Sequence, residues 1–212
     1  MKLIAVLDLP LAGVKVIRFG RFRDERGYFT EIWRRADFEQ RPELAFLKGV
    51  EFRQANESLS RPGTIRGLHF QWNPCMGKLV RTVSGRMVDL VLDVRKGSPT
   101  YGRVIAYDMP AAPESDHQDW IWVPPGFAHG NFFRVETRIE YFCSGEYSPR
   151  CEAGISPLAS DLDWSLADRS LKAELDAIAA AGPLMSPKDR EGLTLARWTA
   201  DARSENFVYG RS

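Results

Sequence analysis

The chain has 212 residues, 44% of them hydrophobic and 27% charged, with a formal net charge of +1. Such a composition fits an ordinary soluble globular domain and excludes a disordered or fibrous chain. The near-neutral balance supplies no strong field for nucleic acid or an anionic membrane, although a local arginine cluster can still hold a small anion.

The N-terminal apolar run in MKLIAVLDLPLAGV turns polar too soon for a signal peptide. No segment approaches the roughly 20 apolar residues of a membrane span. Three cysteines, Cys75, Cys143 and Cys151, form no CxxC pair and are odd in number. A reduced, cytoplasmic protein without a disulfide framework is expected.

Short strands are predicted through the first two-thirds: 15–19 (KVIRF), 29–33 (FTEIW) and 52–58 (FRQANES), then TIRGLHFQ, KLVRTV and RMVDLVLDV. In the last of these, period two places Val88, Leu90, Leu92 and Val94 on one face and Asp89 and Asp93 on the other. GRVIAY, WIWV, NFFRV and RIEYFC complete the set, separated by breakers such as Pro62-Gly63 and Pro124-Pro125-Gly126. Many short strands with little helix between them predict an antiparallel sandwich or barrel. Residues 170–181 (SLKAELDAIAAA) predict a helix stopped by Gly182-Pro183, and a shorter helix is predicted from Ser186-Pro187. The expectation is one mainly β domain over 1–212, with a β core over about 12–150 and a helical appendage over about 165–200.

Only His69, His117 and His129 are available as imidazoles. His69 lies in RGLHFQ on a predicted strand, where period two sends Arg66 and His69 to opposite faces unless the strand bulges at Gly67. His129 lies in PPGFAHG, read as a turn leading into a strand. A lone strand histidine is more often structural than catalytic. No HxH pair is present, and two separated histidines make a thin metal ligand set, so no metal is expected. Neither Cys143 nor Cys151 has a local histidine to activate it, and no glycine-rich phosphate loop appears.

Eight segments in order resemble the dTDP-4-dehydrorhamnose 3,5-epimerase family, an RmlC-like branch of the cupins. They are DERGYFTE, FRQANESLS, GTIRGLHFQ, GKLVRTVSG, VLDVRKGSPTYG, VPPGFAHG, YFCSGEYSP and LMSPKD. The resemblance implies a cupin-type jelly-roll barrel, a homodimer, a nucleotide-diphosphate sugar as substrate, and neither metal nor organic cofactor. It implies His69 as general base, Asp189 as its partner, Tyr141 as general acid, and Lys78 as the charge that steadies an enolate. Arg66 and His129 match residues that hold the substrate near the sugar and diphosphate. Gln54, Ala55 and Asn56 match the sugar-pocket wall, and Tyr147 matches a residue that stacks on the nucleobase. Arg26, Phe29, Glu31, Glu152 and Lys188 match further substrate-binding positions, and the DERGYFTE segment commonly reaches the site from the partner subunit.

The implied chemistry needs these residue types. A ketone at C4 acidifies the hydrogens on C3 and C5. A base removes one, a cation holds the enolate oxygen, and an acid returns a proton to the opposite face. Imidazole suits the first task near neutral pH. The family includes enzymes that invert one carbon or both, and enzymes that take dTDP-, CDP- or GDP-linked sugars. A metal-dependent cupin and a non-catalytic sugar-nucleotide module are the readings from other classes. Two departures stand out. Asn131 follows His129-Gly130 where the family often has phenylalanine, and the stretch between Trp164 and Leu184 is longer and more helical than usual.

Overall fold

The computed structural model describes residues 1–210. The chain opens with β1 (Leu3–Asp8) and β2 (Lys15–Gly20), followed by a two-stranded ribbon of β3 (Phe22–Asp24) and β4 (Gly27–Phe29). Helix α1 (Arg35–Gln40) and a 3-10 segment (Pro42–Leu47) lead to β5 (Gln54–Ser60), β6 (Ile65–Gln71), β7 (Lys78–Ser84) and β8 (Arg86–Asp93). Next come β9 (Val104–Pro110), β10 (His117–Val123), β11 (Phe127–Phe133), β12 (Thr137–Cys143) and β13 (Glu152–Gly154). Helices α2 (Arg169–Ala180), α3 (Pro187–Arg190) and α4 (Leu195–Ala200) complete the fold.

Two antiparallel sheets result. One has the order β1-β2-β10-β7-β12-β5, the other β13-β6-β11-β8-β9. The jelly-roll expectation of a mainly β sandwich holds. The β core starts at Leu3 rather than near residue 12, because the N-terminal apolar run pairs with β2.

Period two explains three apolar layers. Val80, Val91, Ile121, Phe133 and Ile139 fill the space between the sheets. Phe19, Leu79 and Trp120 point outward from the six-stranded sheet and are covered by Phe38, Leu44 and Leu47 of the α1 region. Leu68, Leu90, Leu92 and Phe132 point outward from the five-stranded sheet and are covered by the C-terminal helices. On β8 the aliphatic face is thus the outer one, while fully buried Asp89 and Asp93 face the barrel interior.

Helix α2 presents Leu171, Leu175 and Ile178 to this outer layer, the i, i+4, i+7 spacing of one helical face. Each such burial is worth about 1.5–3 kcal/mol. The Asp168 side chain caps the start by accepting from the N–H groups of Ser170 and Leu171, and Gly182 (φ +84°) follows the end, where a left-handed residue closes the helix. Arg86 clamps the helix to the barrel through two bonds to Glu174, of 2.7 and 3.0 Å.

Two strand expectations need correction. Residues 29–33 are not a strand: β4 ends at Phe29, and among the described residues the ribbon has no further partner to continue its ladder. His129 lies inside β11 rather than in a turn, because the Pro124-Pro125-Gly126 breaker ends one residue before the strand begins.

Candidate active site

A cleft opens between the two sheets at the end marked by Lys78. Two adjoining cavities of about 340 and 290 Å³ form it, and both are lined by His69, Lys78 and Tyr141. His69 comes from β6 of the five-stranded sheet, and Lys78 and Tyr141 come from β7 and β12 of the six-stranded sheet. The imidazole and the phenol therefore stand on opposite walls of one space.

The β6–β11 register explains how Arg66 and His69 share this space. His129 pairs with His69 and Asn131 with Arg66, so three steps on β6 match two on β11. That extra residue is a bulge, and it turns both side chains to the same cavity. Gly67 sits in it with φ +94°, and a Cβ there would stand 2.6 Å from Gly130 Cα and 2.6 Å from the His129 carbonyl. Only glycine fits that backbone and that approach.

The bulge also frees a donor. The Asp189 carboxylate takes hydrogen bonds from His69, from Ser186 and from the backbone N–H of Gly67. His69 Nε2 meets Asp189 Oδ1 at 2.6 Å. Burial pushes the Asp189 carboxyl upward, but these hydrogen bonds outweigh it and hold the group below its ordinary value. With Nε2–H donated to Asp189, the free lone pair of the ring lies on Nδ1.

Asp189 arrives by a defined path. Residues 183–185 run beside the start of β6, with Ile65 N donating to Leu184 O (3.0 Å) and Leu184 N to Gly63 O (2.9 Å). Ser186 then caps α3 by accepting from the Asp189 N–H, which sets the aspartate in the first turn, 6% exposed. The long helical stretch before it packs on the outside of the sheet and leaves this approach intact.

Lys78 and Tyr141 are perturbed in useful directions. Burial pulls the Lys78 ammonium below its ordinary pKa, against the attraction of Cys143, Asp89 and Glu152. Burial, helped by Cys143, raises the Tyr141 phenol, against Arg66 and Asn56. His129 makes a second histidine–aspartate contact, Nε2 to Asp89 Oδ2 at 2.7 Å, and both residues are buried. Burial raises the Asp89 carboxyl, with His129 and Lys78 opposing.

The other anticipated residues divide. Gln54 and Asn56 line the cleft, and Gln54 holds the loop above it by accepting from Tyr147 N at 2.9 Å. Tyr147 is exposed at the rim and donates to Glu152, which also receives Lys188 Nζ at 2.5 Å. Ala55 does not join them: alternation along β5 turns it, exposed, to the other face of the sheet. Arg26, Phe29 and Glu31 stand apart from the cleft of their own chain. Arg26 pairs with Asp24 in its own turn, Glu31 with Arg34 and the N-terminus, and Phe29 is 64% exposed. Asp89, Ser58 and Gln71 were not anticipated. For Asp89 the signal was present, an acidic residue centred in an otherwise aliphatic strand. Among the described residues no group of three or more His, Cys, Asp or Glu side chains is placed to hold a metal ion. Among the described residues no helix is long and apolar enough to cross a membrane.

The motifs and the fold agree with known proteins. The family model described as dTDP-4-dehydrorhamnose 3,5-epimerase matches residues 8–197. The chain is 42% identical over 151 residues to a dTDP-4-dehydrorhamnose 3,5-epimerase of Sinorhizobium fredii, a match covering 70% of this chain and 73% of that one. It is 38% identical over 191 residues to the protein of the same name from Shigella flexneri, covering 88% and 93%. Among solved structures, the epimerase RmlC of Legionella pneumophila in complex with dTDP-4-keto-L-rhamnose superposes with a TM-score of 0.78 at 28% identity, covering 98% and 99%. A double mutant of ChmJ, a 3'-monoepimerase of Streptomyces bikiniensis in complex with dTDP, superposes at 0.76 with 27% identity, covering 92% and 89%. With the cupin-like barrel, the ordered motifs and relatives over most of its length in accord, the chain belongs to the dTDP-4-dehydrorhamnose 3,5-epimerase family.

Proposed function

We propose that the chain inverts C3 and C5 of dTDP-4-keto-6-deoxyglucose, with His69 as base, Asp189 as its orienting partner, Lys78 as the enolate cation and Tyr141 as acid. The observation that carries this is the placement of His69 and Tyr141 on facing sheets around one cleft. Inversion requires that a proton leave one face of the carbon and return to the other. His69 Nδ1 takes the proton, and the imidazolium is steadied by the Asp189 carboxylate. Lys78 faces the developing enolate oxygen from a half-buried position, where charge counts for more than in water. The raised pKa of Tyr141 keeps its proton in place until the carbanion needs it. His129 and Arg66 hold the sugar and diphosphate, and Tyr147 offers a face to the base.

The exposed β3–β4 ribbon belongs to this reading. Arg26, Phe29 and Glu31 miss their own cleft, and we assign them to the cleft of a second copy in a homodimer. Light scattering of the native chain and of Phe29→Asp tests this, with a dimer expected for the first and a monomer for the second. Three unpaired thiols fit work in the cytoplasm.

Incubation with the substrate in deuterated water, read by NMR, tests the reaction itself. Deuterium at both C3 and C5 is expected, and absence of deuterium at either carbon refutes the assignment. Label at one carbon alone selects the second reading, a single-carbon epimerase, which the likeness to ChmJ favours.

A further inference from the structure

Gln71 lies two residues beyond His69 on β6, and alternation puts both side chains on the cleft. It is 5% exposed, and both of its N–H donors are spent on backbone carbonyls. Nε2 donates to Pro74 O at 3.0 Å and to Glu146 O at 2.9 Å, and Oε1 accepts from Ser148 N at 2.7 Å. Pro74 belongs to the connection from β6 to β7, and Glu146 and Ser148 belong to the connection from β12 to β13. One buried side chain thus ties two loops at the mouth of the cleft. The second loop carries Tyr147, and residues 146–148 lie outside every helix and strand. Three consecutive backbone groups there are held by two glutamines: Glu146 O and Ser148 N by Gln71, and Tyr147 N by Gln54 at 2.9 Å. The Tyr147 hydroxyl donates to Glu152, while the residue stays 56% exposed. Its ring is a plane fixed at the backbone and at the tip, open to solvent between.

We propose, on the nucleotide-sugar reading above, that Gln71 is a positioning residue, which holds Tyr147 ready for the nucleobase and so sets affinity for the nucleotide part of the substrate. It acts through the loop rather than by donating to the ligand, because neither amide hydrogen is free. The effect is preorganisation. An exposed loop without such ties samples many backbone states, and a ligand that needs one of them binds more weakly by the fraction of time that state is populated. The inner ends of the same two connections are tied separately, Gly77 N to Ser144 Oγ at 2.8 Å and Ser144 N to Gly77 O at 2.9 Å. Lys78 follows Gly77 directly, and Tyr141 lies within β12, so both keep their places when Gln71 is lost. The consequence therefore falls on nucleotide binding rather than on proton transfer.

Calorimetry with dTDP tests this through a double-mutant cycle, which needs no turnover. Gln71→Met keeps the length of the side chain and removes the amide. It is expected to weaken dTDP about tenfold, the loss when the competent loop is populated a tenth of the time. Tyr147→Ala is expected to weaken dTDP roughly tenfold through the lost stack. In the Tyr147→Ala background, Gln71→Met should add less than about twofold, because the plane it steadies is gone. In turnover, Gln71→Met alone should raise KM by more than it lowers kcat. A full step from Gln71→Met in both backgrounds, no step in either, or a loss confined to kcat overturns the proposal. If the variant does not fold, hydrogen exchange on the native chain decides. The Ser148 N–H should exchange slowly despite its loop position, and exchange at the rate of an open loop overturns the brace. If dTDP does not bind the native chain, or Tyr147→Ala leaves its affinity unchanged, the nucleotide role assigned above falls and takes this proposal with it. If Tyr147→Ala weakens dTDP and Gln71→Met does not, the proposal alone falls.

Discussion

Replacing Asp189 by asparagine keeps the volume of the side chain and removes its charge. The native carboxylate already takes donors from Ser186 and the Gly67 N–H. The new amide oxygen accepts those same donors, which leaves its NH₂ group facing His69 Nε2. The imidazole must then accept at Nε2 and carry its proton on Nδ1, so the lone pair is withdrawn from the substrate. The lost 2.6 Å contact also steadied the imidazolium, and a hydrogen bond to a charged group contributes about 1.5–3 kcal/mol. Adding the tautomer penalty, kcat should fall roughly 10²- to 10⁴-fold, the scale seen when a triad aspartate becomes asparagine in other enzymes. KM should change little, because Asp189 is 6% exposed and its proposed role is to orient His69 rather than to bind substrate. Single-turnover proton exchange in deuterated water is the assay. A variant within about threefold of the wild-type rate would refute the dyad, since even the lost charged hydrogen bond alone predicts more. Stability gives a second readout. The folded-state pKa of Asp189 lies below its ordinary value, so its contribution is present above that value and lost as pH falls through the folded pKa. The stability gap between wild type and Asp189→Asn should therefore shrink on acidification below the ordinary carboxylate range.

Tyr141→Phe should keep proton exchange at the carbon facing His69 and lose inverted product, read by NMR of the recovered sugar; full inversion would sink the acid assignment. Lys78→Gln should lower kcat by roughly 10²-fold, the cost of one donor to an oxyanion. Because burial lowers the Lys78 pKa, the wild-type rate should decline in alkali before the ordinary lysine range is reached, and an alkaline limb that persists in Lys78→Gln would assign it elsewhere. Gly67→Ala places a Cβ 2.6 Å from Gly130 Cα at φ +94° and should cost about 2–4 kcal/mol, lowering Tm by roughly 4–16 °C. An unchanged melt would mean that the bulge is dispensable.

Much of this was legible in residue order, and the failures have physical causes. The alternation along Arg86–Asp93 separated the two faces correctly, but both faces are buried. Hydrophobicity alone therefore could not say that the aspartates look inward and the leucines outward. The conflict between Arg66 and His69 under strict alternation was informative in itself, since it located the bulge at Gly67. His129 was read as a turn residue because proline and glycine dominate its neighbourhood, yet pairing with β6 and β8 carries the strand through it. Residues 30–33 look like strand by composition and lack only a partner, which no local pattern reports. Ala55 took its expected role from its neighbours, and alternation on β5 assigns it to the other side. The dyad was beyond local reading altogether, because 120 positions separate His69 from Asp189 and the contact exists only once the C-terminal layer has docked.

That docking makes the His69–Asp189 contact conditional on the C-terminal layer as well as on the strands. The carboxylate hangs on a strap fixed by the Thr64–Leu184 bridge, the Arg86–Glu174 clamp and the α2 face. Such peripheral units open at lower free energy than the strands beneath them. Under mild denaturant or heat, the strap should release before the barrel melts, and His69 would then keep its place while losing the partner proposed to orient it. Activity in this protein is thus a local thermometer. It reports the closing of one C-terminal flap, and it should fade while circular dichroism still records an intact β structure.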